Sequence, residues 1–150
     1  MAGADMQDSH RLQRFVDAQD EDGTYDSALR ELRDGRKRSH WMWFIFPQVA
    51  GLGQSPTSRR YAISSLAEAR AYVEHPVLGP RLEESARALL ERTGASARDI
   101  FGGIDAMKLR SSMTLFHRAD PDNPLYTEVL DRYFDGEPDE ASDRLLDTGG

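Results

Sequence analysis

No cysteine occurs among the 150 residues, so disulfides, thiol nucleophiles and thiolate metal sites are excluded, and the chain suits a reducing compartment. Zinc ribbons and redox centres are excluded with them. No apolar run approaches the roughly 18 residues a membrane span needs, and the opening stretch Met1 to His10 is polar and acidic, without the apolar segment of a secretory leader. These absences point to a soluble, cytoplasmic protein. No sustained alternation of apolar and polar residues marks a strand, and the chain holds no internal repeat or low-complexity tract. The four histidines include no pair at metal-ligand spacing, and Gly51, Gly53, Gly102 and Gly103 form neither a phosphate loop nor a dinucleotide fingerprint. Neither a metal nor a cofactor is expected.

What is present suits one domain, long enough to bury about two-thirds of its unfolded surface without staples. Residues 1–9 are expected to be a disordered lead-in, residues 10–146 a single helical domain, and residues 147–150 a frayed C-terminus. Leu12, Phe15 and Val16 follow helical spacing, as do Tyr25, Ala28, Leu29 and Leu32, whose helix closes at Asp34 and Gly35. Ser39 is placed to cap a short helix through about Phe44, halted by Pro47, although Phe44 to Phe46 reads equally as a strand in a run too short for its period to decide. Ser55 and Pro56 open another, carrying Arg59, Arg60 and Tyr61, and Ser65 with Glu68 makes a capping-box pattern for a helix that stops before Pro76.

Further along, residues 76–93 read as a helix whose regular part begins at Pro80 and whose stop is Gly94. Ser96 and Asp99 cap a brief turn that Gly102 and Gly103 break, and Asp105 is placed to cap a helix from Ala106 to about Arg118. Asn123 and Pro124 open the next, ending at Asp135 and Gly136, and residues 138–146 form a last short one. The fold class is therefore all-α: a compact multi-helical domain of short capped helices.

The net charge of −7 argues against a general nucleic-acid binder, but its distribution is uneven. Residues 35–118 hold 13 lysines and arginines against 7 acids, whereas 1–34 hold 4 against 9 and 119–150 hold 2 against 10. A basic centre with acidic flanks favours a small anion over a long duplex. The plainer reading is ordinary helix-surface charge that happens to segregate.

Within that centre, residues 35–48 concentrate Arg36, Lys37, Arg38, His40, Trp41, Trp43, Phe44 and Phe46, closing on Pro47 and Gln48. Both tryptophans of the chain lie here. Cations just past a helix end favour its negative pole, or they hold a phosphate or carboxylate beside a tryptophan that stacks on a flat ring. The aromatics either fill the core or line a pocket. His40 is the candidate acid or base, since an imidazole both takes and gives a proton near neutrality. A second constellation, Lys108, Ser111 and Ser112, shares one helix face by its spacing and could bind phosphate, or its hydroxyls could bond back to carbonyls one turn earlier.

The run from Gly35 to Gln48 with Gly51 and Gly53, the segments 60–66 and 75–82, Ile100 to Gly102 and Met107 to Phe116 together resemble the bacterial domain of unknown function numbered 1810. The resemblance covers roughly residues 10–146. It implies a compact, mostly α-helical single domain and no particular activity. Some members carry a calpastatin-like label, although calpastatin repeats are disordered inhibitor segments and this chain reads as folded.

The expectation is a small-molecule-binding protein, or an enzyme, that takes a phosphorylated or nucleotide-like ligand. Arg36, Lys37, Arg38 and Lys108 would neutralise the anion, Trp41 or Trp43 would stack, Gln48, Ser111 and Ser112 would hydrogen-bond, and His40 would move the proton. The rivals are a non-enzymatic protein-interaction module and, against the net charge, single-stranded nucleic-acid binding.

Overall fold

The structure, a computed structural model, describes residues 10–92 and 94–149. The expected lead-in 1–9 and the expected helix end at Thr93 lie outside them. Helices follow one another as α1 Gln13–Asp20, α2 Thr24–Asp34, α3 Met42–Ile45, α4 Pro56–Arg60, α5 Leu66–Glu74, α6 Leu78–Glu91, α7 Ala97–Ala119, α8 Leu125–Phe134 and α9 Glu140–Gly149, with a 3-10 turn over Glu21–Gly23. Among the described residues there is no strand; the nearest approach is one parallel bridge between Val49 and Ile63. None of these helices is long and apolar enough to cross a membrane.

The long helix α7 is the axis of the fold. Residues 111–116 on it are all buried, because small and apolar side chains occupy every face of those turns. A helix with no polar face must be covered on all sides. It packs against α5, α8 and α9, while α6 joins α8, α5 and α2. Tyr72 of α5, Phe116 of α7 and Tyr126 of α8 link the packing, with ring centroids 5.2 Å and 6.0 Å apart along that series. Such tilted and edge contacts add to the area these rings remove from water.

Local signals set most of the helix ends. Ser55 and Ser65 accept from the amides of Ser58 and Glu68, and Ser96 and Asp99 complete a reciprocal capping box. His75 performs the same task through its ring, accepting at Nδ1 from the amides of Val77 and Leu78 ahead of α6. Gly35 closes α2 in the left-handed conformation, as its position suggests.

Three expectations are corrected. Ser65 caps α5, but the Glu68 carboxylate does not return to the Ser65 amide; it takes the Ser64 amide and hydroxyl at 2.9 and 2.8 Å and Arg14 at 2.8 Å. A charged partner from α1 outbids a local amide. The glycines at 102 and 103 do interrupt the helix, as expected: within α7, Ala97–Ala119, Gly102 takes φ 80°, ψ 167°, outside the helical region, and parts a short first segment from a long second one. Asp105 lies inside that second segment and caps nothing, its carboxylate being taken by Lys37 and Lys108. Ser39 does not cap α3, whose first residue follows Trp41 without a side-chain cap.

The reason Ser39 is absent from that cap is Glu31. This buried carboxylate, 7% exposed on α2, accepts from the amides of Arg38 and Ser39 at 2.6 and 3.0 Å, from the Ser39 hydroxyl at 2.7 Å and from Trp41 Nε1 at 3.0 Å. It thereby folds residues 36–41 back onto the helix they have just left and fixes the Trp41 indole in the core, against Phe46 and Phe101. Burial alone would raise the Glu31 pKa, but four hydrogen bonds to the charged form outweigh it and hold the carboxyl below the usual glutamate range.

Glu31→Ala leaves the Trp41 Nε1 and two amides without their acceptor, and is expected to cost about 3 to 5 kcal/mol of stability. Because the folded pKa is lowered, this contribution is complete above the ordinary glutamate pKa and is lost as pH falls through the folded value. Chemical denaturation of wild type should therefore show stability declining below about pH 4.5, and Glu31→Ala should decline less steeply there. Equal acid slopes in the two proteins would contradict this role.

Candidate functional site

The chain returns from the core through Phe46 and Pro47 and is pinned by a pair of backbone hydrogen bonds: Ile63 N donates to Gln48 O and Ala50 N donates to Ile63 O, each at 2.8 Å. Between these anchors the loop and α4 bow outward and leave a hollow. It holds about 180 Å³ and is walled by Trp43, Gln48, Ala50, Ser58, Arg59 and Tyr61. Gly53 lets the loop press on α4, since a Cβ there would lie 2.6 Å from the Ser58 side chain.

A second hollow of about 300 Å³ adjoins the first, sharing Gln48, Gly53 and Ser58 with it. Its far wall is α7, through Ile104, Met107, Lys108 and Ser111, and its floor includes Asp139 at the entrance to α9. Ile104 and Met107 are 76% and 69% exposed there, large apolar side chains without cover.

The two constellations read from the sequence are tied together by one carboxylate. Asp105 receives Lys37 Nζ at 2.9 Å on one oxygen and Lys108 Nζ at 3.2 Å on the other. Each ammonium also lies over an indole, Lys37 5.2 Å from the Trp41 ring centre and Lys108 4.6 Å from that of Trp43. The order Trp41, Lys37, Asp105, Lys108, Trp43 thus couples the tryptophan segment to α7 just beyond its Gly102 bend. Burial raises the Asp105 pKa, but hydrogen bonds and charge from the two lysines prevail and hold it below the usual aspartate range.

Of the residues singled out in the sequence, Trp43, Gln48, Lys108 and Ser111 line the paired hollows. The Gln48 carboxamide has no hydrogen-bond partner among the described residues, and Trp43 Nε1 is buried without one. Arg36, Arg38 and His40 are exposed and line neither hollow, while Trp41 is fully buried. Lys37 is occupied with Asp105 and with the Ser39 carbonyl at 2.6 Å. Ser111 bonds back to the Met107 carbonyl and reaches Asp139 Oδ2, each at 3.1 Å, and Ser112 is fully buried with no partner for its hydroxyl among the described residues. The helix face therefore divides, Ser111 at the hollow and Ser112 in the core.

Ser58, Arg59 and Tyr61 are wall residues that were not picked out as site residues in the sequence. Their available signal was a capped basic turn running into a tyrosine. That turn carries little weight until Val49 and Ile63 are known to pair across it.

The chain is thus an all-α domain with surface hollows walled by Trp43 and Tyr61 and flanked by Arg59 and Lys108. The chain belongs to the family described as Protein of unknown function (DUF1810), whose model matches residues 9–146. It is also similar, over 91% of its length and 96% of the other chain, to the crystal structure of the conserved hypothetical protein Rv1873 from Mycobacterium tuberculosis, at 50% identity and a TM-score of 0.87. A search of curated proteins finds no match.

Asp105→Asn removes the charge that the two lysines share. It is expected to cost about 1 to 3 kcal/mol, between the values for exposed and for buried pairs. The native carboxylate stabilises the fold above the ordinary aspartate pKa, and the contribution disappears as pH falls through its lowered folded value. The difference between wild type and Asp105→Asn in urea denaturation should therefore be large near pH 7 and shrink in acid. A difference independent of pH would contradict the ion-pair account.

Proposed function

We propose that this chain is a small-molecule-binding protein whose ligand joins a flat ring to an anionic group, with the ring in the first hollow. The observation that carries the reading is the wall of that hollow. Two aromatic side chains, Trp43 and Tyr61, stand beside the uncommitted Gln48 carboxamide and the exposed Arg59. Aromatic faces stack on any flat ring, a carboxamide supplies one acceptor and two donors to a ring edge, and a guanidinium pairs with phosphate or carboxylate through two parallel bonds.

Lys108 has a different part in this arrangement from Arg59. Its charge is shared with Asp105, so it contributes chiefly by holding the Trp43 ring from above. No imidazole lines the hollow, and the reading is of a binder rather than a catalyst. The rival reading, a protein-docking module, rests on the exposed Ile104 and Met107.

Tryptophan emission separates the two readings, because the chain has only two indoles and one of them is fully buried. Nucleosides and nucleoside monophosphates titrated into the protein should quench emission, and Trp43→Phe should keep the binding, measured by calorimetry, while losing the quench. A bound ligand at 100 times its dissociation constant should also add about 2.7 kcal/mol of stability in a thermal-shift assay. If no member of such a panel quenches or stabilises, the ring site is wrong and the docking reading gains.

A further inference from the structure

A third hollow lies against the first, on the side away from Lys108. It holds about 340 Å³, shares Ala50, Arg59 and Ala62 with the ring hollow, and is lined in addition by His10, Arg11, Arg14, Arg60 and Glu68. Four guanidiniums therefore face one carboxylate, in a chain whose overall charge is −7.

Arg14 and Glu68 are the frame of this hollow. Arg14 donates to the Arg60 carbonyl at 2.8 Å, to the Ala62 carbonyl at 2.9 Å and to the carbonyls of His10 and Arg11 at 2.8 and 2.9 Å, so it joins the end of α4 to the segment before α1. Glu68 is saturated by Arg14 on one oxygen and by the Ser64 amide and hydroxyl on the other. Its charge is spent on Arg14. Arg11, Arg59 and Arg60 are exposed and form no ion pair among the described residues. Arg59 makes a 3.3 Å bond to the Gln54 carboxamide, and Arg60 lies over the Tyr61 ring at 5.4 Å.

Three like charges held around one concavity repel one another, and an anion placed among them relieves that repulsion while accepting paired hydrogen bonds from each fork. A single phosphate, with about two charges, is matched by two guanidiniums; three call for a longer phosphate chain. A long polyanion is disfavoured by the acidic flanks, above all residues 119–150 with 2 basic and 10 acidic side chains. The shared residue Arg59 connects this hollow to the ring site.

We infer that the ligand of the ring hollow is a nucleoside di- or triphosphate, whose phosphate chain leaves the ring past Arg59 and lies among Arg11, Arg59 and Arg60. This rests on the ring-site reading above, and the two are separable by experiment. Calorimetric titrations would compare adenosine, AMP, ADP, ATP and inorganic tripolyphosphate, with uridine and UTP as a second base, against wild type and Arg11→Ala/Arg60→Ala. Both substituted side chains are exposed, and an unchanged melting temperature without ligand verifies that the double variant folds.

The expected result is affinity rising about tenfold for each phosphate beyond the first, and the double variant losing on the order of a hundredfold for the triphosphates while nucleoside affinity holds. Equal affinity for AMP and ATP, or an unaltered ATP affinity in the double variant, would overturn the phosphate assignment alone. Tripolyphosphate binding that depends on the two arginines, with no binding by any nucleoside, would support the arginine hollow and contradict the ring site. A single-stranded oligonucleotide that binds more tightly than ATP would overturn the assignment to a small nucleotide.

Discussion

The buried carboxylate of Glu31 is the constraint on which the rest depends. A charge taken out of water must be met by hydrogen bonds or it neutralises itself, and this one is met by four donors from the ten residues that follow it. Meeting them forces the chain to double back at Gly35 and delivers Trp41 into the core, one short turn before Trp43 emerges at the surface. The separation of a fully buried tryptophan from one that lines a hollow follows from this single anchor.

From there the architecture passes outward through charge. Lys37, sitting over the buried indole, is held by Asp105, and the same carboxylate holds Lys108 over the half-buried one. The Gly102 bend in α7 places Asp105 on a segment that turns toward the tryptophan loop. Cation–π contacts of this kind are worth about 0.5 to 2 kcal/mol each, so the arrangement fixes orientation more than it adds stability. Lys37, at the centre of the basic run 36–38, is thereby consumed internally, while Arg11, Arg59 and Arg60 line the hollow beside α4.

Much of the fold was legible because helix ends are written locally. Ser55, Ser96 and Gly35 act through neighbours within a few residues, which spacing reveals. Glu31, Glu68 and Asp105 were misread or passed over for the opposite reason: a charged group chooses the strongest partner in space, and Trp41, Arg14 and Lys37 are not near it in any periodic pattern. The paired hollows were half legible. Trp43, Gln48 and Lys108 stand out by type, and the structure brings them to one surface. Which of the two tryptophans faces out, which of Ser111 and Ser112 lines the hollow, and that Arg59 joins them all depend on helix phase and on the bridge between Val49 and Ile63.

The two indole N–H groups offer the most direct test of the central claim, that Glu31 dedicates Trp41 to the core and leaves Trp43 to a ligand. One donates to a carboxylate and the other is buried without an acceptor, so their NMR resonances report the two roles separately. Titration of ATP into labelled protein should move the Trp43 indole and the Gln48 side-chain amide signals together while the Trp41 indole stays in place. Equal movement of both indoles, or movement of neither, would contradict the account.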